Sequence, residues 1–219
     1  EGEENFNDAS DPQALAVTKT GIIFYKYKSK GIVYISPEDG ILNTLLIDTN
    51  STSGDGGSVF SATANNVKRI TLDYDENIIV YDNDQIRKID LSTNPWSIST
   101  IAGGGVNPPD NELAVTANLP SISGSLVIMP NGRIYFPSSK DYWYLDPSDN
   151  KLKKHLDFSG LGTGPNTGGH ATYDISLCTV NDLAISFNKE TSLITKIMAK
   201  TTESTDVNCG AKSNGSYVG

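Results

Sequence analysis

The sequence predicts an all-β protein made of repeated units, and three observations support this fold class. Short β-branched and aromatic runs recur along the chain between glycine, proline, asparagine and aspartate residues, as in GIIFYKY (21–27), NIIVYD (77–82) and RIYFPS (133–138). No long segment has the apolar spacing of an amphipathic helix without Gly, Pro or β-branched interruptions. A pattern of four short strands separated by turns also occurs four times along the sequence.

In the four copies of this pattern, the first turns lie at regularly spaced positions. The turns centre on Gly21, Asn77, Gly132 and Asp182. A four-strand meander at about this spacing is typical of β-propeller blades, because a twisted sheet has two apolar faces that neighbouring blades bury. We therefore predict a single β-propeller domain over residues 1–219. Its blades span about 1–52, 53–104, 105–162 and 163–219, either closed into a four-bladed ring or forming part of a larger propeller.

Glycine-rich linkers separate the repeats, and two of them share a pattern. The first is SGDGGSVFSATANN (53–66), and the second is IAGGGVNPPDNELAVTANLP (101–120), which is followed by the NGRIYF strand entry (131–136). These linkers resemble those of the NHL-repeat β-propeller family, which end a blade in an I-A-G-x-G or G-D-G-G turn. The resemblance implies a propeller fold. The D-x-x-N-x-R-I stretch of many members is reduced here to NDQIRKID (83–90).

The glycine loop at 54–57 does not match a phosphate-binding motif. No Gly-Lys-Ser/Thr triplet occurs, so a P-loop is excluded, and no helix is predicted after residue 57 to complete a dinucleotide site. Asp55 would also repel an anion. We interpret this loop as the turn that connects one blade to the next, and we expect no cofactor.

Charge and composition exclude several classes of partner. The net charge is −9 and the basic residues are scattered, which argues against nucleic acid binding. No apolar run is long enough to span a membrane. Asn50 and Asn214 begin glycosylation sequons, which weakly favour an extracellular or cell-surface location. Cys178 and Cys209 form either one disulfide or two buried thiols.

Acidic pairs in the second repeat resemble metal ligands only superficially. Asp73 and Asp75 precede one strand, and Asp82 and Asp84 follow it, so antiparallel geometry places the two pairs at opposite ends of the blade. Neither stretch completes a calcium-binding loop. We interpret both pairs as turn residues and predict no metal site.

Aromatic residues provide the strongest indication of ligand binding. Tyr142 and Trp143 are adjacent, and Asp141 precedes them; aromatic rings beside acids suit glycan or protein recognition. His170 lies in a glycine-rich linker, where functional residues often occur. We predict these four residues as ligand contacts. The alternative is that the rings are part of the core between blades.

Three functions are compatible with these features. The preferred one is a non-enzymatic recognition or adhesion module that binds a glycan or protein ligand on a loop face, as the binding head of a larger secreted or surface protein. The second is a lyase-like or lactonase-like propeller enzyme with a central metal. The third is a structural domain that forms a homo-oligomer, belongs to an oligomeric fibre, or joins the remainder of a larger chain.

Overall fold

The computed structural model describes residues 14–27, 31–138, 141–157, 174–178, 183–188 and 193–198. The chain divides into two compact units, Glu1–Gly103 (unit 1) and Gly104–Gly219 (unit 2). The described residues are all-β apart from one short 3-10 helix, Val59–Ser61. This confirms the predicted all-β class, whereas the count of four blades stays a prediction. Among these residues, no helix is long and apolar enough to cross a membrane.

Unit 1 contains two sheets that follow one another along the chain. The first has the order β1-β2-β3-β4-β5, with β1 Leu15–Val17, β2 Ile23–Tyr27, β3 Gly31–Ile35, β4 Leu42–Asp48 and β5 Thr63–Ala64. The second has the order β6-β7-β8-β9, with β6 Val67–Leu72, β7 Ile78–Asp82, β8 Gln85–Asp90 and β9 Ser97–Gly103. Neighbouring strands are antiparallel except β4 and β5, which are parallel.

The core of unit 1 lies between these two sheets. Alternate residues of the first sheet, including Phe24 and Ile32, pack with alternate residues of the second, including Ile78 and Val80. The period of two along each strand directs one set of side chains toward the neighbouring sheet. This face-to-face arrangement buries apolar area and orients the turns at the strand ends.

Unit 2 also contains two sheets in its described part. One has the order β10-β14-β13-β12-β11, with β10 Glu112–Leu113, β11 Val127–Ile128, β12 Ile134–Ser138, β13 Asp141–Asp146 and β14 Lys151–Asp157. The other has the order β15-β16-β17, with β15 Asp174–Cys178, β16 Leu183–Asn188 and β17 Leu193–Met198. All described neighbours in both sheets are antiparallel. Asp182 and Cys209 lie outside the described residues.

A shift in strand register recurs at the equivalent strand of three sheets, namely β3, β8 and β13. The register between this strand and the next shifts at Ile32/Val33 in β3, at Ile86/Arg87 in β8 and at Tyr142/Trp143 in β13. A β-bulge at a constant position increases local twist and redirects the side chains beside it. Val33, Arg87 and Trp143 therefore occupy equivalent positions in three repeats.

Candidate functional site

The glycine loop at 54–57 is a structural connection in unit 1. Gly54 and Gly56 have φ angles of 86° and 80°, a region that glycine enters without steric cost. The Gly56 amide donates to the Ile98 carbonyl at 2.8 Å, and the Ile98 amide donates to the Gly57 carbonyl at 3.0 Å. These bonds fasten the loop along the free edge of β9. The loop thus connects β4 to β6, as the sequence predicted.

A buried arginine holds this loop in place. The Arg87 side chain is fully buried, and its guanidinium donates to Asp55 Oδ1 through Nε at 3.1 Å and Nη2 at 2.7 Å. It also donates to the carbonyl oxygens of Thr63 and Ser53, each at 2.8 Å. Burial alone would raise the pKa of Asp55, but hydrogen bonds from Thr100 and Arg87 outweigh it and lower that pKa. Arg87 lies in the NDQIRKID stretch that the family resemblance singled out.

Two carboxylates bind three successive amides beside Arg87. Asp82 is fully buried, and its Oδ1 accepts from the amides of Asn65 and Asn66 at 2.8 and 2.9 Å. Asp48 Oδ2 accepts from the Val67 amide at 3.3 Å. Burial raises the pKa of Asp48, and the nearby Asp82 adds to this effect despite the bond from Val67. This network anchors the entry to β6, so its role in the geometry is structural.

The acidic pairs of the second repeat lie at opposite ends of the sheet, as predicted. Asp73 and Asp75 belong to the turn between β6 and β7, whereas Asp82 and Asp84 flank the turn between β7 and β8. Asp73 Oδ1 accepts from the amides of Asp75 and Asn77 at 3.0 and 2.8 Å, which is the bonding of a turn residue. Within the described part of the chain, no cluster of three His, Cys, Asp or Glu residues is arranged to hold a metal.

The structure places three of the four predicted ligand residues on β13. Tyr142 and Trp143 are buried, with exposures of 1% and 4%, and Asp141 is partly exposed. Lys154 Nζ lies 3.2 Å from Asp141 Oδ2 and 5.2 Å from the centroid of the Trp143 ring. Ligand binding by these residues stays a prediction. His170 lies outside the described residues.

Trp143 differs from its counterpart Arg87 in its hydrogen bonding. Arg87 donates four hydrogen bonds to three acceptor atoms, whereas the buried Trp143 Nε1 has no hydrogen-bond acceptor among the described residues. Asp141 Oδ1 is likewise buried without a donor in this part of the structure. The buried donor and acceptor both lie beside Lys154. This is an unusual concentration of unsatisfied polar atoms, because most such atoms in folded proteins have partners.

A second polar network lies at the ends of β13 and β14 in unit 2. Asp146 Oδ2 accepts from Arg133 Nη2 at 3.2 Å and from Lys153 Nζ at 3.1 Å. Its Oδ1 accepts from the Ser148 hydroxyl at 2.7 Å. Burial alone would raise the pKa of Asp146, but bonds from Ser148 and Lys153, together with the charge of Arg133, hold it well below its ordinary value.

Unit 1 carries a partly exposed group of rings, which we call the aromatic surface: Tyr34, Phe60 and Trp96. The Trp96 ring centroid lies 5.4 Å from that of Tyr34, at an interplanar angle of 63°. It lies 5.9 Å from that of Phe60, at 24°. Phe60 is 47% exposed, while Tyr34 and Trp96 are partly exposed. Tyr34 and Trp96 also contact the buried ring of Phe24, so the group lies at the margin of the core, with Phe60 as its most exposed ring.

Rigid elements position each ring of the aromatic surface. Tyr34 lies on β3, Phe60 lies in the 3-10 helix, and Trp96 directly precedes β9. The Val59 amide donates to the Trp96 carbonyl at 2.9 Å, which fixes the helix against β9. Sequence reasoning missed this group because its members are distant in the chain. The available signal was Phe60, a large side chain in a linker of small residues.

Comparison with solved structures identifies the architecture. A structure of YCF48 bound to D1 peptide matches with a TM-score of 0.55 at 11% sequence identity, over 88% of this chain and 52% of that one. The extracellular domain of the putative one component system BT4673 from B. thetaiotaomicron matches with a TM-score of 0.51 at 12% identity, over 91% of this chain and 24% of that one. These neighbours are β-propeller-like. The fold is β-propeller-like.

The comparisons show the fold of this chain but do not show its family. No protein-family model matches the chain, and the curated proteins include no match. The chain spans about half the length of the first structural neighbour and about a quarter of the second. The propeller-like architecture agrees with the repeat analysis, whereas membership of the NHL-repeat family stays a prediction.

Proposed function

We propose that this protein is a non-enzymatic recognition module that binds a glycan or protein ligand through the aromatic surface. The observation that carries the proposal is the accessible ring of Phe60 stacked on Trp96. Aromatic side chains supply a large contact area at low conformational cost, and Trp and Tyr are enriched among energetically dominant interface residues. A rigid sheet and a short helix hold these rings, so little ordering is required when a ligand binds.

The structural neighbours are compatible with this proposal. One is described as bound to a peptide, and the other is an extracellular domain. We propose an extracellular or cell-surface location for this protein on the same basis, together with the sequon at Asn50, which is exposed.

Ligand screening of the purified chain tests the proposed function. We expect binding on a glycan array or a peptide array, and we expect Phe60→Ala to weaken it about fivefold, since one exposed aromatic contact contributes about 1 kcal/mol. Val106→Ala is the matched control, because Val106 is an exposed apolar side chain outside the aromatic surface. Binding that Phe60→Ala leaves unchanged in a folded variant would contradict the proposed site.

Asp141, Tyr142, Trp143 and His170 form a second set of proposed contacts. The unpaired Trp143 Nε1 and Asp141 Oδ1 supply one donor and one acceptor beside Lys154. Trp143→Phe removes the indole N–H but keeps an aromatic ring, so it preserves more packing than Trp143→Ala. A loss of ligand binding by Trp143→Phe at unchanged thermal stability supports this role. Unchanged binding removes these residues from the site.

An assembly role is a second candidate function, and one observation favours it. Leu15, Val17 and Ile47 are 60%, 51% and 50% exposed. They lie on the same face of the first sheet, in register with Tyr25, Ile23 and Gly31, opposite the face that packs in the core. Val33 lies between them on this face and is buried, so the exposed apolar side chains are those of β1 and β4. Exposed apolar side chains grouped on a sheet face favour association. The molecular mass in solution distinguishes a monomer from an oligomer.

A further inference from the structure

The aromatic surface lies at an acidic end of unit 1. Four turns define this end: 18–22, 36–41, 73–77 and 91–96. The Lys19 amide donates to Glu76 Oε1 at 2.7 Å, and Trp96 contacts Tyr34, so turns of the two sheets adjoin here. We call this region the turn end.

Carboxylates outnumber lysines at the turn end and its adjacent strand residues. The carboxylates are Glu38, Asp39, Asp73, Asp75, Glu76 and Asp90, and the lysines are Lys19 and Lys88. Each lysine already pairs with a carboxylate, since Lys19 Nζ lies 3.8 Å from Glu76 Oε1 and Lys88 Nζ lies 3.0 Å from Asp73 Oδ2. The remaining carboxylates give this end an excess of negative charge.

Hydrogen bonding lowers the pKa of two of these carboxylates. Bonds from the Ser92 side chain and amide lower the pKa of Asp90. Burial alone would raise the pKa of Asp73, but bonds from Asn77 and Lys88 outweigh it and lower that pKa. Asp73 and Asp90 therefore stay ionised to a lower pH than an ordinary aspartate does.

The segments that supply the three rings contain no basic residue. Lys and Arg are absent from residues 31–67, which hold Tyr34 and Phe60, and from residues 89–132, which hold Trp96. Glu38 and Asp39 are exposed in the turn that follows the strand of Tyr34. Tyr74, in a neighbouring turn, is 49% exposed and adds a further ring to this end.

We infer that the aromatic surface binds a peptide rich in Lys or Arg, an inference that rests on the proposed recognition function. A cation placed over a Trp or Phe ring gains attraction from the ring's electron density, and the carboxylates attract the same charge over longer distances. An angled group of rings with acidic residues beside it thus complements a basic peptide. A neutral glycan can hydrogen-bond to individual carboxylates, but it gains no attraction from their excess of negative charge.

A peptide array with basic, acidic and neutral sequences of equal length tests this inference. We expect retained peptides to be enriched in Lys and Arg, and we expect acetylation of their lysines to abolish binding. Phe60→Ala and the double variant Glu38→Gln/Asp39→Asn should each weaken the best basic peptide about fivefold. Val106→Ala should leave its affinity unchanged, and added salt should weaken binding by screening.

The outcomes separate this inference from the proposed function. Equal retention of acidic, neutral and basic peptides overturns the inference, as does unchanged binding after lysine acetylation. Binding of neutral glycans that depends on Phe60, without binding of basic peptides, also overturns the inference but supports the recognition function. If neither the glycan array nor the peptide array retains the folded protein, both are overturned.

Discussion

At the residue scale, Arg87 illustrates how one charge organises a loop. Its guanidinium satisfies two carbonyl groups and one carboxylate of residues 53–63, and it lies 3.6 Å from the buried Asp82. Removing one member of a buried ion pair leaves an uncompensated charge, which costs more than the pair contributes. Arg87 therefore contributes to the stability of the fold chiefly by satisfying the polar and charged groups around its guanidinium.

We predict that Arg87→Met lowers the free energy of unfolding by about 3–5 kcal/mol, because Asp82 then remains buried without its cation. Urea denaturation followed by circular dichroism measures this change. Lys19→Ala, which removes an exposed ion pair, is the control and should change the free energy by less than about 1 kcal/mol. Similar losses in the two variants would show that the Arg87 network contributes little.

The pKa of Asp146 leads to a prediction about acid stability. Because its pKa is lower in the folded state than the ordinary value of 3.8, the ionised carboxylate stabilises the fold above that value. The contribution is lost as the pH falls below it. We expect the free energy of unfolding to drop more between about pH 6 and about pH 3 in the wild type than in Asp146→Asn. Equal drops would refute the role of this carboxylate.

At the element scale, the linkers and the β-bulges repeat together with the sheets. The loop at 54–57 bonds to β9, and in unit 2 the short strand β10 pairs with β14, so both linkers cover the edge of a blade's last strand. Covered edges prevent unwanted strand pairing. Sequence analysis recognised the linkers from their glycines, but the edges that they cover became visible only in the sheet topology.

Two glycines of the same loop provide a matched test of this element. Both have positive φ angles, but a Cβ on Gly54 would lie 2.7 Å from Ala62, whereas a Cβ on Gly56 would meet nothing within 4 Å. We predict that Gly56→Ala costs about 1 kcal/mol through backbone strain alone, and that Gly54→Ala costs more. Thermal unfolding of the two variants measures the difference. Equal losses of stability would mean that the chain at Ala62 shifts to accommodate the added methyl group.

At the scale of the whole molecule, exposed surfaces determine the possible interactions. The aromatic surface and the exposed face of the first sheet are different regions: one lies at strand ends, and the other carries Leu15 and Val17. Each region leads to a different prediction about the behaviour of the protein in solution. Ligand binding concerns the first region, and self-association concerns the second.

We predict that the purified chain self-associates and that Val17→Glu shifts it toward the monomer, because a charge on an apolar interface is costly to bury. Light scattering after size-exclusion chromatography measures the mass. Ile41→Glu is the control, since Ile41 is a similarly exposed apolar residue in a turn. A monomeric wild type would contradict the assembly role while leaving the recognition function intact.

The sequence by itself determined the all-β class, the repetition of a four-strand pattern and the structural nature of the 54–57 loop. These features depend on local patterns, namely alternation along strands and glycine at turns, which a single sequence displays. It also predicted the opposite placement of Asp73 and Asp82, because antiparallel pairing follows from consecutive strands.

The tertiary structure alone decided which residues meet. Arg87 reaches Asp55, which lies 32 positions earlier, and Trp96 stacks on Phe60 across two elements. Burial of Tyr142 and Trp143 likewise depends on the packing around β13 rather than on their adjacency. Long-range contacts arise from how whole sheets pack, and the period of a strand specifies which face a side chain occupies without specifying what covers that face.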